Sequence, residues 1–316
     1  MNHEPWDVIV IGGGAAGLNA ALVLARARRR VVVVDAGEPR NRFAPHMHGF
    51  LSRDGVSPLE LLEIGRGEVR GYGGEIVSGR AVRAAGEAGA FTVELDDGRM
   101  FASRRLVIAT GLRDELPDIP GLAGQWGRGA VACPYCDGWE ARDSRIGVLA
   151  ASAMSVHQAG LLRQWSADVT FVGPLTAELH PEARAGLEAR GVRIDERAAT
   201  AVLEDADGAL TGVELDDGTT LPLDRIFVGP RLVANDELLR QLGAARTEAM
   251  QGGEWVASDA FGATSVPGVW VAGNSAVSHA LVVMAAASGA AVATQINADL
   301  VADDTRRALA EARAMA

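Results

Sequence analysis

"VIVIGGGAAGLNAALVLA", residues 8–25, decides the fold. It opens inside a β-rich run, Asp7 to Ile11, of the kind carried by a strand buried on both faces. Glycines follow at Gly12, Gly14 and Gly17, and Leu18 to Arg30 then has helical spacing with Ala, Leu and Arg. "VVVVDAGEPR" (31–40) supplies a second buried strand and completes a βαβ unit. In such a loop Gly12 permits the tight turn, Gly14 lets backbone approach a pyrophosphate, and Gly17 lets helix and strand pack closely. The helix N-terminus adds free N–H groups and a positive dipole. Asp35 ends the second strand 18 residues after Gly17, where a carboxylate accepts ribose hydroxyls. Gly12, Gly14, Ala15, Ala16, Gly17 and Asp35 are therefore the candidate residues for an adenine dinucleotide. The loop itself does not separate FAD from NAD.

A second βαβ unit is expected near the middle: strand "RIGVLA" (145–150), helix Val156 to Trp165, strand "DVTFVG" (168–173). A repeat supports duplication, because "FTVELDDGRMFASRRLVIATG" (91–111) resembles "TGVELDDGTTLPLDRIFVGP" (211–230). Each reads as a hairpin with an Asp-Gly turn, followed by a buried strand. "GVWVAGNSAVSHALVVMAAASGAA" (268–291) gives a strand, a polar turn and a long small-residue helix that returns to the first unit; the charged tail after Asp303 reads as a surface helix. The expected fold is α/β, with two Rossmann-like three-layer nucleotide-binding domains, the second inserted in the first. The expected boundaries are 1–114 with 231–316, and 115–230.

The formal net charge of -11 argues against a nucleic-acid partner and against an anionic membrane surface. The start, Met1-Asn2-His3-Glu4-Pro5, lacks a basic targeting region, and the apolar run at 280–296 falls short of the ~20 residues a membrane span needs. A soluble cytoplasmic protein is expected. In a reducing compartment its two cysteines point to catalysis or metal binding, not to a structural staple.

Those cysteines stand three apart in "ACPYCDGWE" (132–140). Cys133-Pro-Tyr-Cys136 has the spacing of a redox dithiol. A zinc site needs about four ligands. The only other clustered donors are His46 and His48, so no metal is expected. Asp137 follows at once. Its carboxyl can shuttle the proton that thiol–disulfide exchange requires, or can merely serve the Asp-Gly turn. His46 and His48 read as loop histidines that could also act as bases. Late in the chain, Gly273-Asn274 sits between a strand and a helix. There an amide can bond a ribityl chain or phosphate, or simply cap the helix.

The midpoint strand lacks the glycine loop that should follow it. Ala150-Ala151-Ser152-Ala153-Met154-Ser155 stands there, and a Cβ occupies each position where pyrophosphate needs backbone. The next strand ends Val172-Gly173-Pro174-Leu175, with no acid for a ribose and no Arg cluster for a 2′-phosphate. This second domain is expected to have no functional NADPH site.

Together "GGGAAG" (12–17), "ATG" (109–111), "CPYCDG" and "VPGVWVAGN" resemble the low-molecular-weight thioredoxin reductases over nearly the whole chain. The resemblance implies FAD, a homodimer, and an inserted domain that carries the CxxC pair. It implies that Cys133 attacks substrate, that Cys136 faces the flavin and that Asp137 is the acid. Thr110 and Gly111 would line the FAD site with Gly273 and Asn274, and backbone at Val82 would meet adenine. The altered second loop, and "PRNRFAPHMHGF" (39–50) in place of the usual Gly-Gly-Gln, resemble a branch of dithiol oxidases such as those closing the disulfides of gliotoxin and holomycin. Those keep FAD and CxxC, dispense with nicotinamide and pass electrons to oxygen. In that branch Asn41 and His48 become flavin-site candidates. The implied partner is a small-molecule dithiol or disulfide, or a thioredoxin-like protein. The alternatives are a reductase fed by NADPH or by a protein donor such as ferredoxin, and a flavin redox sensor without turnover.

Overall fold

The structure is a computed structural model that describes residues 4–152, 154–248 and 253–315. The chain divides into two compact units. The first comprises Met1–Arg40, Leu59–Arg113 and Val233–Ala316, and the second Asn41–Pro58 and Asp114–Leu232.

In the first unit β1 (Trp6–Ile11), α1 (Ala15–Arg26) and β2 (Val31–Asp35) form the βαβ start, with β1 and β2 parallel. Then come α2 (Pro58–Gly71), β3 (Glu75–Ser78), β4 (Ala81–Glu87), β5 (Ala90–Leu95) and β6 (Met100–Ile108). The strand order is β3-β2-β1-β6-β5-β4. β6 has two roles. Its first half closes an antiparallel hairpin with β5, and its second half lies parallel to β1.

Strand β7 (Leu112–Glu115) leads into the second unit. There α3 (Leu122–Gln125), β8 (Ala130–Val131), α4 (Pro134–Asp137), β9 (Ile146–Leu149), α5 (Met154–Leu162), β10 (Val169–Val172), α6 (Pro181–Ala189) and β11 (Arg193–Asp195) precede an antiparallel ribbon of β12 (Ala199–Glu204), β13 (Leu210–Leu215) and β14 (Thr220–Pro222). β15 (Arg225–Val228) completes a parallel sheet of order β11-β10-β9-β15-β8. β16 (Arg231–Ala234) pairs with β7 as the chain leaves. The return adds α7 (Glu237–Gln241), a small hairpin of β17 (Arg246–Glu248) and β18 (Glu254–Val256), then β19 (Val269–Val271) beside β6, and α8 (Val282–Met315). The expected small-residue helix and the tail helix are one continuous α8, because no proline or helix-ending glycine separates them.

Alternation along the strands builds the layers. In the first unit Val8, Val10, Val31 and Val33 pack with Leu18, Leu24, Val292 and Ile296 of α1 and α8. Ile9, Ile11, Val32 and Val34 face the other way, with Phe91, Val93, Leu238 and Leu239. In the second unit Ile146, Val148 and Phe171 pack with Ala159 and Leu162 of α5 and Leu187 of α6, while Leu149, Val172 and Ile226 meet Val202, Val213 and Leu215 of the ribbon. Both units are thus three-layer Rossmann-type folds. Among the described residues no helix is long and apolar enough to cross a membrane.

The segment 41–58 differs from expectation: it packs with the second unit, not the first. Phe43 lies against Gly127, and His48 reaches Glu140. These contacts join residues 84 and 92 positions apart, which periodicity in sequence does not encode.

Candidate active site

In open parallel sheets ligands bind outside the carboxyl ends of the strands, where strand order reverses. In the first unit that point lies between β1 and β6. Gly12, after β1, has φ of 108°, and a Cβ there would stand 2.3 Å from the Ala109 carbonyl oxygen after β6. A Cβ on Gly17 would stand 1.9 Å from the Gly12 oxygen, so both glycines are required by the protein's own packing. Gly14 is different. It caps α1 in extended conformation, and a Cβ there would meet nothing within 4 Å. The loop is closed against the protein and open towards a ligand, as a pyrophosphate cradle must be.

Asp35 accepts the N–H groups of Gly13 (3.2 Å) and Gly37 (3.1 Å), and Arg66 Nη2 stands 3.0 Å from it. A cleft of about 310 Å³ opens here, lined by Asp35, Gly37, Arg66, Ser78 and Gly79 among others. Gly13 and Arg66 were not singled out from sequence. Gly13 lies inside the glycine run, and a Cβ on it would come 2.4 Å from the Asp35 carboxyl carbon. Val82 sits at a register shift between β4 and β5, with its carbonyl bound by Gln241 Nε2 (3.0 Å).

After β6, Thr110 Oγ1 donates to the Asn235 carbonyl (2.6 Å), and the Gly111 N–H donates to Ser275 Oγ (2.7 Å). Asn235 and Ser275 thus pin the Thr110–Gly111 turn, a role visible only once β19 is placed beside β6. Asn274 is not a helix cap. Its amide nitrogen donates to the carbonyls of Val277, Ser278 and Ala280. The residues present fit an adenine dinucleotide of the FAD type: an open glycine cradle, an acid at the end of β2 beside it, and two pinned turns at strand ends.

In the second unit Cys133 and Cys136 form a disulfide, with Cα atoms 5.2 Å apart. The geometry is local. Cys133 is the N-cap of α4 and Pro134 its first residue, and the Cys133 carbonyl accepts the N–H groups of Cys136 and Asp137 (both 3.0 Å). Pro at the first helical position costs no hydrogen bond there. The pair is half-buried, while Tyr135 and Trp139 on either side of Cys136 are exposed.

Asp137 is pushed up to about 6, chiefly because burial disfavours its charged form, and further by the negative charge of Glu140; His48 and Arg225 oppose this. A carboxyl so poised exchanges protons near neutrality. His48 stands between Asp54 (Nδ1 to Oδ2, 3.2 Å) and Glu140 (Nε2 to Oε1, 3.5 Å). Asn41 lies in the same segment, its carbonyl accepting the Ala44 N–H (3.1 Å). His46 Nδ1 is 3.0 Å from the Gly55 carbonyl. Glu140 was missed, although an acid three residues beyond Asp137 was legible.

The second glycine-type loop is filled from within. Ser155, fully buried at the start of α5, accepts the N–H of Ala151 (3.3 Å) and of Ser152 (3.2 Å) through its hydroxyl. These are amides of the loop that would otherwise face a pyrophosphate. Ala153 lies outside the described residues.

Comparison with known proteins agrees with this geometry. Residues 6–289 match the family model for pyridine nucleotide-disulphide oxidoreductases. The chain is 32% identical over 308 residues to thioredoxin reductase sirT of Leptosphaeria maculans, covering 92% of this chain and 93% of that protein. It is 32% identical over 307 residues to thioredoxin reductase tcpT of Claviceps purpurea, covering 94% and 95%. Among solved structures, HlmI superposes with a TM-score of 0.93 at 48% identity, covering 100% of this chain and 99% of that one. The chain belongs to the pyridine nucleotide-disulphide oxidoreductase family, in which it is a thioredoxin-reductase-like, FAD-dependent thiol–disulfide oxidoreductase.

Proposed function

We propose that the chain oxidises a dithiol to a disulfide through Cys133 and Cys136, with dioxygen as terminal acceptor. The observation that carries this direction is the Ser155 hydroxyl bound to the Ala151 and Ser152 amides. A domain whose phosphate loop is satisfied internally has little left to offer NADPH, so electrons enter from the thiol side.

A substrate thiolate attacks Cys133, and the Cys133–Cys136 bond breaks as the mixed disulfide forms. The second substrate thiol displaces Cys133, releasing the substrate disulfide and leaving both cysteines reduced. Asp137 takes one thiol proton at a time and protonates the departing Cys133 sulfur, while Cys136 leaves as the thiolate. Bound FAD supplies the two-electron chemistry that returns the pair to the disulfide and delivers the electrons to dioxygen. Gly12, Gly14, Ala15, Ala16 and Gly17 hold its pyrophosphate, Asp35 its ribose, and Thr110, Gly111, Gly273 and Asn274 its flavin half, with Val82 beside the adenine. The net reaction consumes one dithiol and one dioxygen and yields one disulfide and one hydrogen peroxide.

A homodimer in the cytoplasm is the setting that the resemblance to thioredoxin reductases implies. The substrate is a small dithiol or a thioredoxin-like protein, and the exposed Tyr135 and Trp139 favour one with apolar surface. The test is stoichiometric. Aerobic incubation with dithiothreitol should give equal amounts of oxidised dithiol and peroxide, and Cys133→Ser should abolish both. The names of the fungal relatives favour a second reading, disulfide reduction fed by NADPH. That reading requires NADPH consumption on addition of a disulfide, without peroxide.

A further inference from the structure

The segment 41–58 brings a second set of titratable groups to the disulfide, and the thiol chemistry above leaves them unused. His48 presents Nδ1 to Asp54 at 3.2 Å and Nε2 to Glu140 at 3.5 Å. Asp54 is held in place by the Gly49 N–H at 2.8 Å, on the other carboxyl oxygen. Glu140 lies three residues beyond the end of α4, and Asp137 feels the charges of both Glu140 and His48. Asp137 is half-buried, the side chains of Glu140 and His48 are 41% and 25% exposed, and Asp54, at the outer end, is 67% exposed.

We propose that Glu140, His48 and Asp54 form the proton route between Asp137 and solvent, with His48 as its central relay. The proposal rests on the dithiol-oxidation reading and deepens it. Each turnover takes two protons from the substrate thiols: one passes through Asp137 to the Cys133 sulfur, the other leaves to solvent, and peroxide formation takes back one from Cys133 and one from solvent. Imidazole suits the relay because each ring nitrogen can take or give a proton, and here each faces a carboxylate. Uptake at the nitrogen facing Glu140 and release at the one facing Asp54 moves one proton outward with no net change in the ring's charge, and a ring flip resets the tautomer. The charged groups facing His48 are Asp54 on its own segment, Glu140 and Asp137. Those facing Asp137 are Glu140, His48 and, from β15, Arg225.

The test uses the full-length FAD-loaded protein with dithiothreitol as the dithiol. His48→Ala should slow turnover by about 10-fold or more, with KM for dithiothreitol unchanged, and added imidazole should restore part of the rate. Glu140→Gln, which keeps size and hydrogen-bonding capacity, should slow turnover in the same sense and lower the pH at which Asp137 deprotonates, because a negative neighbour has gone. An infrared titration of the Asp137 carboxyl reads that shift independently of activity. His48→Ala should move the same titration upwards. A parent that turns over, beside His48→Ala with rate and titration unaltered, overturns the relay and leaves the oxidation reading intact. A slow His48→Ala that imidazole does not rescue, with the carboxyl titration unmoved, also overturns it. A parent inert to dithiothreitol overturns the oxidation reading, and the relay with it.

Discussion

The Ser155 hydroxyl accepts the Ser152 amide at 3.2 Å, so α5 satisfies a loop that its counterpart in the first unit leaves open. Ser155→Ala removes the acceptor for that amide and for the Ala151 amide. A loss of about 1 kcal/mol is expected, of the size of a lost helix cap, measurable by urea unfolding. The variant should gain no response to NADPH, because the Cβ atoms of Ala150 and Ala151 remain.

Gly14 and Gly17 lie in one loop and should respond in opposite ways. A Cβ at Gly14 meets nothing within 4 Å, so Gly14→Ala should fold as apoprotein and lose FAD, with Kd raised about 100-fold or more. Gly17→Val forces a Cβ to within 1.9 Å of the Gly12 oxygen and should compromise folding itself. Flavin content alongside apoprotein melting separates the two.

Asp137→Asn should stabilise the protein while impairing it. The folded-state value of about 6 lies above the ordinary 3.8, so the folded state binds this proton more tightly than the unfolded chain does. That stabilisation is fully present below about pH 4 and is lost as pH rises through about 6. The asparagine stays neutral throughout. Parent and variant should therefore match in acid and diverge by up to about 3 kcal/mol in favour of the variant near pH 7. Turnover with dithiothreitol should fall about 100-fold, and the limb near pH 6 should vanish from its profile.

Arg104 anchors α8. Its guanidinium, only 10% exposed, bonds Asp7 (2.8 Å), Asp303 (2.7 Å) and Asp304. Arg104 holds Asp303 below the usual carboxylate range, and Arg29, followed by Arg104, does the same for Asp304. Arg104→Met should cost about 3 kcal/mol at neutral pH, because three carboxylates lose their buried partner. Asp303 and Asp304 contribute stability above their ordinary values and lose it as pH falls through the depressed ones. The gap between parent and variant should therefore close in acid unfolding curves.

Much of the fold was legible because its signals are local. The alternation of Val8 to Ile11 against Val31 to Val34, the Asp97-Gly98 and Asp217-Gly218 turns, and the glycine spacing at 12–17 each act within a few residues. Both glycine turns have the expected positive φ, at 84° and 79°. Chemistry in "CPYCD" was legible for the same reason, since α4 sets its geometry alone. The pairing of His48 with Glu140, the pinning of Gly111 by Ser275 and the packing of 41–58 on the second unit were not. Each depends on chain closures across roughly 90 to 160 residues. Asn274 lay between: its position was readable, but three carbonyls of its own turn take up its amide nitrogen.

Electron entry is the central question, and one anaerobic experiment addresses it. The FAD-loaded protein is mixed separately with excess NADPH, NADH and dithiothreitol while the flavin absorbance is followed. Dithiol oxidation requires bleaching by dithiothreitol, recovery when air is admitted, and no response to either nicotinamide. Rapid bleaching by NADPH or NADH would contradict it and make the chain a reductase that binds its nucleotide despite the Ser155-filled loop.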